Sequence, residues 1–292
     1  MNKWFGTVYR FHPLFVLMML FSIATGYFIE LLTLFGIVFI HELGHVTLAK
    51  SFGWRVKEVQ LLPFGGVAVV EESGNIPAHE ELWVALAGPA QNAWMAGFAF
   101  IMMKFGGGDT HWWQYFLQAN VMIGLFNMLP ILPLDGGKVL ISILSFRLCY
   151  YKTLYICAWF SLCFSCVIVM CAFISVGTHG GIQLNLLMIG LFLLYSNWMS
   201  YRHIPYQFRR FLMSREGRAI QHIAKGTLEQ PILVGGHKEI SAIVQLFMRE
   251  KYHKIYILSK QGVIQKVLTE QRLIYTYFAE AKSNRAVSEI FM

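Results

Sequence analysis

The sequence predicts a membrane protein with an all-α core: six transmembrane helices carrying a β-hairpin or re-entrant element, followed by a small C-terminal α/β domain. Three observations carry that prediction. Hydrophobic residues make up 56% of the 292 residues and charged residues only 14%, against about a quarter charged in soluble domains. Six apolar runs, near residues 11–29, 31–50, 82–103, 112–146, 153–176 and 182–199, are long enough to cross a bilayer as helices. Residues 1–198 hold nine basic and nine acidic side chains, so the whole net charge of +8 falls after the last run. The chain therefore divides into a membrane domain (1–200), a basic linker (201–221) that hugs the lipid surface, and a C-terminal domain (222–292). A basic tail beside anionic lipid calls for no direct nucleic-acid partner.

The first run follows Lys3 and Arg10 and has the look of a signal peptide. No small-x-small cleavage site comes after it, so it reads as an uncleaved span. Lys50, Arg55 and Lys57 follow the second run, Arg147 and Lys152 the fourth, and Arg202, Arg209 and Arg210 the sixth, while the opposite loops hold only Lys104. The positive-inside rule then places both termini in the cytoplasm after six crossings.

The second run contains His41-Glu42-Leu43-Gly44-His45. On a helix this spacing puts two imidazoles one turn apart on one face, a span one Zn²⁺ can bridge. Glu42 between them can hold and deprotonate a water activated there. An ionisable residue at membrane depth is a functional hypothesis by default.

Residues 56–70 follow as VKEVQLLPFGGVAVV, with Pro63 and Gly65-Gly66 at the middle. This is a β-hairpin or a re-entrant loop, and the residues alone leave open whether it meets substrate or lies apart in the cytoplasm. In the third run, Pro89 and Asn92 read as packing elements. The fourth run is interrupted by NMLPILPLDGG at 127–137, where two prolines and two glycines cannot continue a regular helix. The chain unwinds there between two half-helices.

A zinc site needs at least one more protein ligand and an open position. Asp135 is the candidate. His45 precedes Lys50 by five residues, about 7 Å from the cytosolic edge, and His41 lies about 14 Å in. Asp135 precedes Arg147 by twelve residues, up to about 18 Å from that edge, so the polar groups fall at comparable depth. The alternative is an Asp135–Lys138 ion pair lining a pore. The other histidines are scattered without ligand spacing. The five cysteines, at 149, 157, 163, 166 and 171, read as small buried hydrophobes.

After residue 199, a first strand is predicted over 231–234 and an amphipathic helix over 239–251. Strands follow over 254–258 and 263–268, with a turn between them, and a helix runs from Glu270 to about Ala279. The β-α-β-β-α order makes a small α/β unit.

HELGH in the second run, AGPAQN at 87–92 and NMLPILPLDGG at 127–137 resemble the site-2 protease family of intramembrane zinc metalloproteases. The tail, PILVGGHKEISAIVQLFMREKYHKIYILSKQGVIQKVLTEQ, resembles a single CBS domain. A membrane core followed by a CBS domain, with no PDZ insertion, is similar to the subgroup that includes sporulation proteases. The resemblance implies zinc on His41, His45 and Asp135, with Glu42 as general base. It implies Asn127 near the metal as a donor to the developing oxyanion, the alternative being a cap on the broken half-helix. It also implies that the 63–66 region presents substrate as an extended strand. The implied substrate is a membrane-associated precursor, a sigma factor of the sigma-K type carrying a pro-sequence. The implied setting is the mother-cell membrane around the forespore, with membrane-protein regulators or inhibitors alongside.

The CBS resemblance implies ATP near Thr269 and a homo-oligomer, against a plain docking role. Nucleotide-binding CBS motifs carry Thr-x-x-Asp, and here Arg272 stands where the acid belongs. Two rival readings remain at this point: a metal or proton transporter using the same His, Glu and Asp, and a CBS-bearing membrane scaffold with a vestigial site.

Overall fold

The computed structural model describes residues 3–4, 7–11, 13–62, 65–70, 76–106, 108–179, 183–225, 229–259, 261–279 and 286–288, with the backbone alone over 3–4, 7–11, 14, 57–62, 65–70, 174–179 and 216–225. In chain order the elements are β1 (Lys3–Trp4), β2 (Thr7–Phe11), α1 (Pro13–Thr25), α2 (Phe28–Ser51), β3 (Val56–Leu62), β4 (Gly65–Val70), α3 (Ala78–Lys104), α4 (Thr110–Asn127), α5 (Asp135–Ser145), α6 (Tyr150–His179), α7 (Leu184–Lys225), β5 (Glu229–Gly235), α8 (Ile240–Val244), β6 (Tyr252–Leu258), β7 (Ile264–Thr269) and α9 (Glu270–Ala279). They fall into two compact units, Met1–Glu72 with His79–Val139, and Ser73–Ala78 with Leu140–Met292.

In the first unit a four-stranded sheet has the order β1-β2-β3-β4. The hairpin expected over 56–70 is β3 paired antiparallel with β4, Val59 opposite Ala68. Its turn residue Pro63 lies outside the described residues. The strands at the N-terminus were not foreseen: β2 runs parallel to β3, Tyr9 opposite Val59, so α1 and α2 form the crossover between parallel neighbours. Helix α2 is 24 residues, about 36 Å at helical rise. It packs Ile37 against Met95 and Ala119, with Leu34, Ile40, Phe116 and Ile123 around them. Near its end Val46 and Ala49 meet Val56, Trp54 and Val84. Leu17, Leu20, Phe21 and Ile23 of α1 are exposed, an apolar surface that suits lipid. Among the described residues two stretches, Phe28–Ser51 and Tyr150–Phe173, are long and apolar enough to cross a membrane, where the sequence led to an expectation of six.

The fourth apolar run is two helices, as the prolines and glycines require. Asp109 caps α4 by accepting from the His111 amide at 2.9 Å. Between α4 and α5 the backbone closes short turns, Leu134 N to Ile131 O at 2.9 Å and Gly137 N to Leu134 O at 3.1 Å. Gly136 and Gly137 admit this fold because a Cβ would lie 2.3 Å from the Leu129 oxygen at the first and 2.7 Å from Ile131 C at the second.

In the second unit α6 and α7 pair. Asn197 of α7 donates to Ser165 Oγ of α6 at 3.0 Å in a buried contact. Helix α7 runs 42 residues and does not stop at Pro205. Residues 201–221, expected as a linker, continue this helix. The reason is packing: Ile204, Phe208, Phe211, Leu212 and Arg215 recur at helical spacing and are all buried, which outweighs the single hydrogen bond lost to proline.

The C-terminal elements follow the expected β-α-β-β-α order. β5 pairs parallel with β6, Ile232 opposite Ile255, and β6 antiparallel with β7, Ile255 opposite Leu268. Their core joins Val234, Ile243, Phe247 and Leu273 to Phe208, Phe211 and Leu212 of α7. The predicted helix over 239–251 shrinks to the five residues of α8. The carbonyls that would continue it are taken elsewhere: Phe247 O accepts from Tyr150 N at 3.0 Å, Met248 O and Lys251 O from the Arg215 guanidinium at 2.7 and 2.5 Å.

Candidate metal centre

Helix α2 places His41 and His45 one turn apart, and the first residue of α5 places Asp135 against both. His41 Nε2 and His45 Nε2 are 3.2 Å apart. Asp135 Oδ2 lies 3.1 Å from the first and 3.0 Å from the second. The three residues are 3%, 9% and 6% exposed, so water competes little for them.

The outer nitrogens set the protonation. His41 Nδ1 donates to Asn92 Oδ1 at 2.6 Å, and His45 Nδ1 to the Val84 carbonyl oxygen at 2.7 Å. A neutral imidazole has one N–H, so in both rings it sits on Nδ1 and Nε2 presents a lone pair. The Asn92 amide is oriented by its other end, where Nδ2 points to Asn120 O at 3.4 Å. With both rings neutral, three lone pairs converge, an arrangement that repels itself unless a cation is held there. Bonds of about 2.0–2.1 Å put tetrahedral neighbours about 3.3–3.4 Å apart. The spacing here is within a few tenths of that, and N, N, O is a zinc donor set, so the residues fit the ion.

Asp135 meets both of the groups that the sequence offered it, the histidine pair and Lys138. Lys138 does pair with Asp135, Nζ to Oδ1 at 3.2 Å, whereas both rings meet Oδ2. One carboxylate oxygen thus meets Lys138 and the other meets the two rings. Glu42 is half-buried, one residue along α2 from His41. Asn127 is the last residue of α4, and its amide donates to Ile123 O at 3.1 Å. Thr269 ends β7, opposite Lys254. The next residue, Glu270, is buried against Arg215 and His253.

Sequence reasoning missed the contribution of the third helix. Asn92, expected as packing, holds a ligand ring. Val84 supplies the other acceptor. Gly88 between them leaves room for both imidazoles, since a Cβ there would lie 2.2 Å from His45 Nε2. A glycine inside a helix costs about 1 kcal/mol relative to alanine, and that was the available signal of close approach.

Paired histidines, a carboxylate from a broken helix and a neighbouring glutamate, set among apolar helices, define a membrane metallohydrolase centre. The sequence profile of Peptidase family M50 matches residues 29–110 and 105–168. The chain is 34% identical over its whole length to Stage IV sporulation protein FB of Bacillus subtilis, covering 99% of that protein. It is 37% identical over 128 residues to a zinc metalloprotease of Methanocaldococcus jannaschii, 43% of this chain and 37% of that one. The solved structure of the Site-2 Protease from Methanocaldococcus jannaschii matches with a TM-score of 0.53 and 27% identity, covering 69% of this chain and 94% of that one. The chain belongs to Peptidase family M50, the site-2 proteases, and is a zinc metalloprotease.

Proposed function

We propose that the chain is an intramembrane endopeptidase that clips a membrane-associated precursor, removing the pro-sequence of a sigma factor of the sigma-K type during sporulation. The observation that carries the chemistry is the convergence of His41 Nε2, His45 Nε2 and Asp135 Oδ2 to within 3.2 Å of one another beside Glu42. The likeness to a stage IV sporulation protein along the full length supports the biological setting. The proposed topology is six crossings with both termini cytoplasmic, in the mother-cell membrane around the forespore. Membrane-protein regulators would act in that same membrane.

In this reading His41, His45 and Asp135 hold Zn²⁺, which when bound supplies Lewis acidity to the scissile carbonyl and the attacking water. Glu42 accepts the water proton and passes it to the leaving amine. Lys138 neutralises the outer oxygen of Asp135, so that Oδ2 alone faces the histidines. Asn127 uses one amide hydrogen on Ile123, and the second is assigned to the developing oxyanion. A peptide bond in a helix is shielded, so substrate unwinds and adds as a strand to the sheet that ends in β4. The C-terminal unit is proposed as a CBS-like domain for docking or self-association. Nucleotide at Thr269 gains no support, because the adjacent acid is turned inward to Arg215.

The transporter reading is not favoured: the likenesses are to peptidases. Co-expression of the chain and of Glu42→Gln with a sigma-factor precursor tests the proposal. Expected are cleavage by the first, none by the second, and full zinc content in both. Undiminished cleavage by Glu42→Gln overturns the mechanism. Cleavage of other membrane precursors but not this one overturns the assigned substrate.

A further inference from the structure

The third helix adds no ligand to the metal site, yet one stripe of it faces both ligand rings. Val84, Gly88 and Asn92 stand four residues apart, hence on one face of α3. The Val84 carbonyl holds His45, Gly88 makes the space, and the Asn92 side chain holds His41 at 2.6 Å. Asn92 is itself held. Its Nδ2 points to Asn120 O and Oδ1 of α4 at 3.4 and 3.5 Å. Asn120 Nδ2 in turn donates to Phe116 O at 2.8 Å. The two asparagines are 1% and 0% exposed. Opposite Asn92, α4 carries Gly124, where a Cβ would stand 3.3 Å from Asn92 Cβ.

Every donor in this chain points away from the metal site, from His41 to Asn92 to Asn120 to the backbone of α4. The direction matters, because reversal would turn an N–H of Asn92 towards His41 Nδ1 and drive the ring proton onto Nε2, where a lone pair is needed. The two histidines also differ in a way that substitution can probe. His45 is fixed by a backbone carbonyl and His41 by a side chain.

We propose that Asn92, oriented by Asn120, is a positioning residue of the metal centre, locking the His41 ring in the tautomer that presents Nε2 as a ligand. This rests on the metallopeptidase reading above.

The test uses the full chain purified in detergent, with Zn²⁺ affinity measured by chelator competition and the site read by the ligand-field spectrum of added Co²⁺. Asn92→Ala is expected to bind Zn²⁺ about 10–100-fold more weakly, the range typical for lost outer-shell partners, with altered Co²⁺ bands. Asn92→Asp restores the acceptor and is expected to bind within a few-fold of the unsubstituted chain. Asn120→Ala leaves the acceptor and the Asn120 carbonyl but removes the Oδ1 partner at 3.5 Å, which loosens the orientation, and falls between the two. Asn92→Ala that binds Zn²⁺ as tightly, with an unchanged Co²⁺ spectrum, overturns the proposal even if its thermal stability drops. Should that variant fail to fold, unchanged affinity and an unchanged Co²⁺ spectrum in Asn92→Leu, which keeps the volume without the acceptor, overturn it instead. An unsubstituted chain that takes up no ion brings down the metal reading itself, a different result from either.

Discussion

Each side chain of the metal centre carries a distinct burden, and the glycines carry as much as the ligands. Gly44 sits between the histidines because a Cβ there would stand 2.6 Å from Gln91 Cγ and 2.7 Å from the Ala87 oxygen. Helices α2 and α3 approach at that point with nothing between them. Gly88 repays the approach from the other side. Gly88→Ala would push on both Nε2 atoms, 2.2 and 2.6 Å from the new Cβ. A displacement of about 1 Å can cost about 100-fold, so the variant should lose cleavage by about that factor and zinc with it. Metal content and precursor cleavage measured on one preparation check this, and full zinc occupancy would contradict it. At this scale the motif residues were legible, because HExxH encodes its geometry in helical spacing alone. Asn92 was not, because its role depends on a ring 51 positions away in sequence.

Among the elements, the break between α4 and α5 does most to build the site. It delivers Asp135 at the first turn of a helix. Gly136→Ala or Gly137→Ala would meet backbone at 2.3 and 2.7 Å, and no flexible side chain can yield there. Either variant should displace the carboxylate and weaken zinc binding at least tenfold, the lower end for a lost supporting contact. Gly97→Ala, on α3 with open space around it, should leave zinc binding unchanged. Equal binding by all three would show that the turn does not position Asp135. The prolines and glycines announced this break plainly. The run of α7 past Pro205 was hidden, since proline and a basic, aromatic composition favour a linker locally, and the 204, 208, 211, 212, 215 stripe gains its partners only in the folded core. The shortening of α8 was beyond sequence reading, because Arg215 and Tyr150, remote in the chain, claim its carbonyls.

For the whole molecule, stability of the C-terminal elements turns on one buried polar knot. Arg215 is clasped by Glu270 through Nε and, at 2.9 Å, through Nη2, while its guanidinium lies over Phe211 and Phe247 at 5.1 and 5.4 Å. Breaking a buried pair costs about 3–5 kcal/mol through the charge left behind. Arg215→Met should therefore destabilise β5–β7 by about that amount, and adding Glu270→Gln should recover much of it. Amide hydrogen exchange of these strands in the full chain measures both, and unchanged protection in Arg215→Met would refute the claim.

Acid acts on the same knot. Burial holds His253 below its ordinary 6.5. Burial raises Glu270, but hydrogen bonds from His253 and Arg215 prevail and hold it below its ordinary 4.5. Both groups have folded values below their unfolded ones, so their contribution is present at neutral pH and lost on acidification. The loss begins near pH 6.5 for His253 and continues below 4.5 for Glu270. Thermal scans of the full chain at pH 7.5, 6 and 5 should show a falling first midpoint, and a rising one would reverse the sign.

By itself the sequence determined the two histidines and the glutamate, the apolar runs, the broken fourth run and the order of the C-terminal elements. Those features live in local spacing, which a helix or strand converts directly into shared faces. Only the tertiary structure decided which Asp135 oxygen faces the rings, which partner each outer ring nitrogen meets, and that α3 backs both. It also decided the parallel pairing of β2 with β3 and the reach of α7. Each of these depends on a hydrogen bond or contact between groups far apart in the chain, and residue spacing carries no record of distances through space.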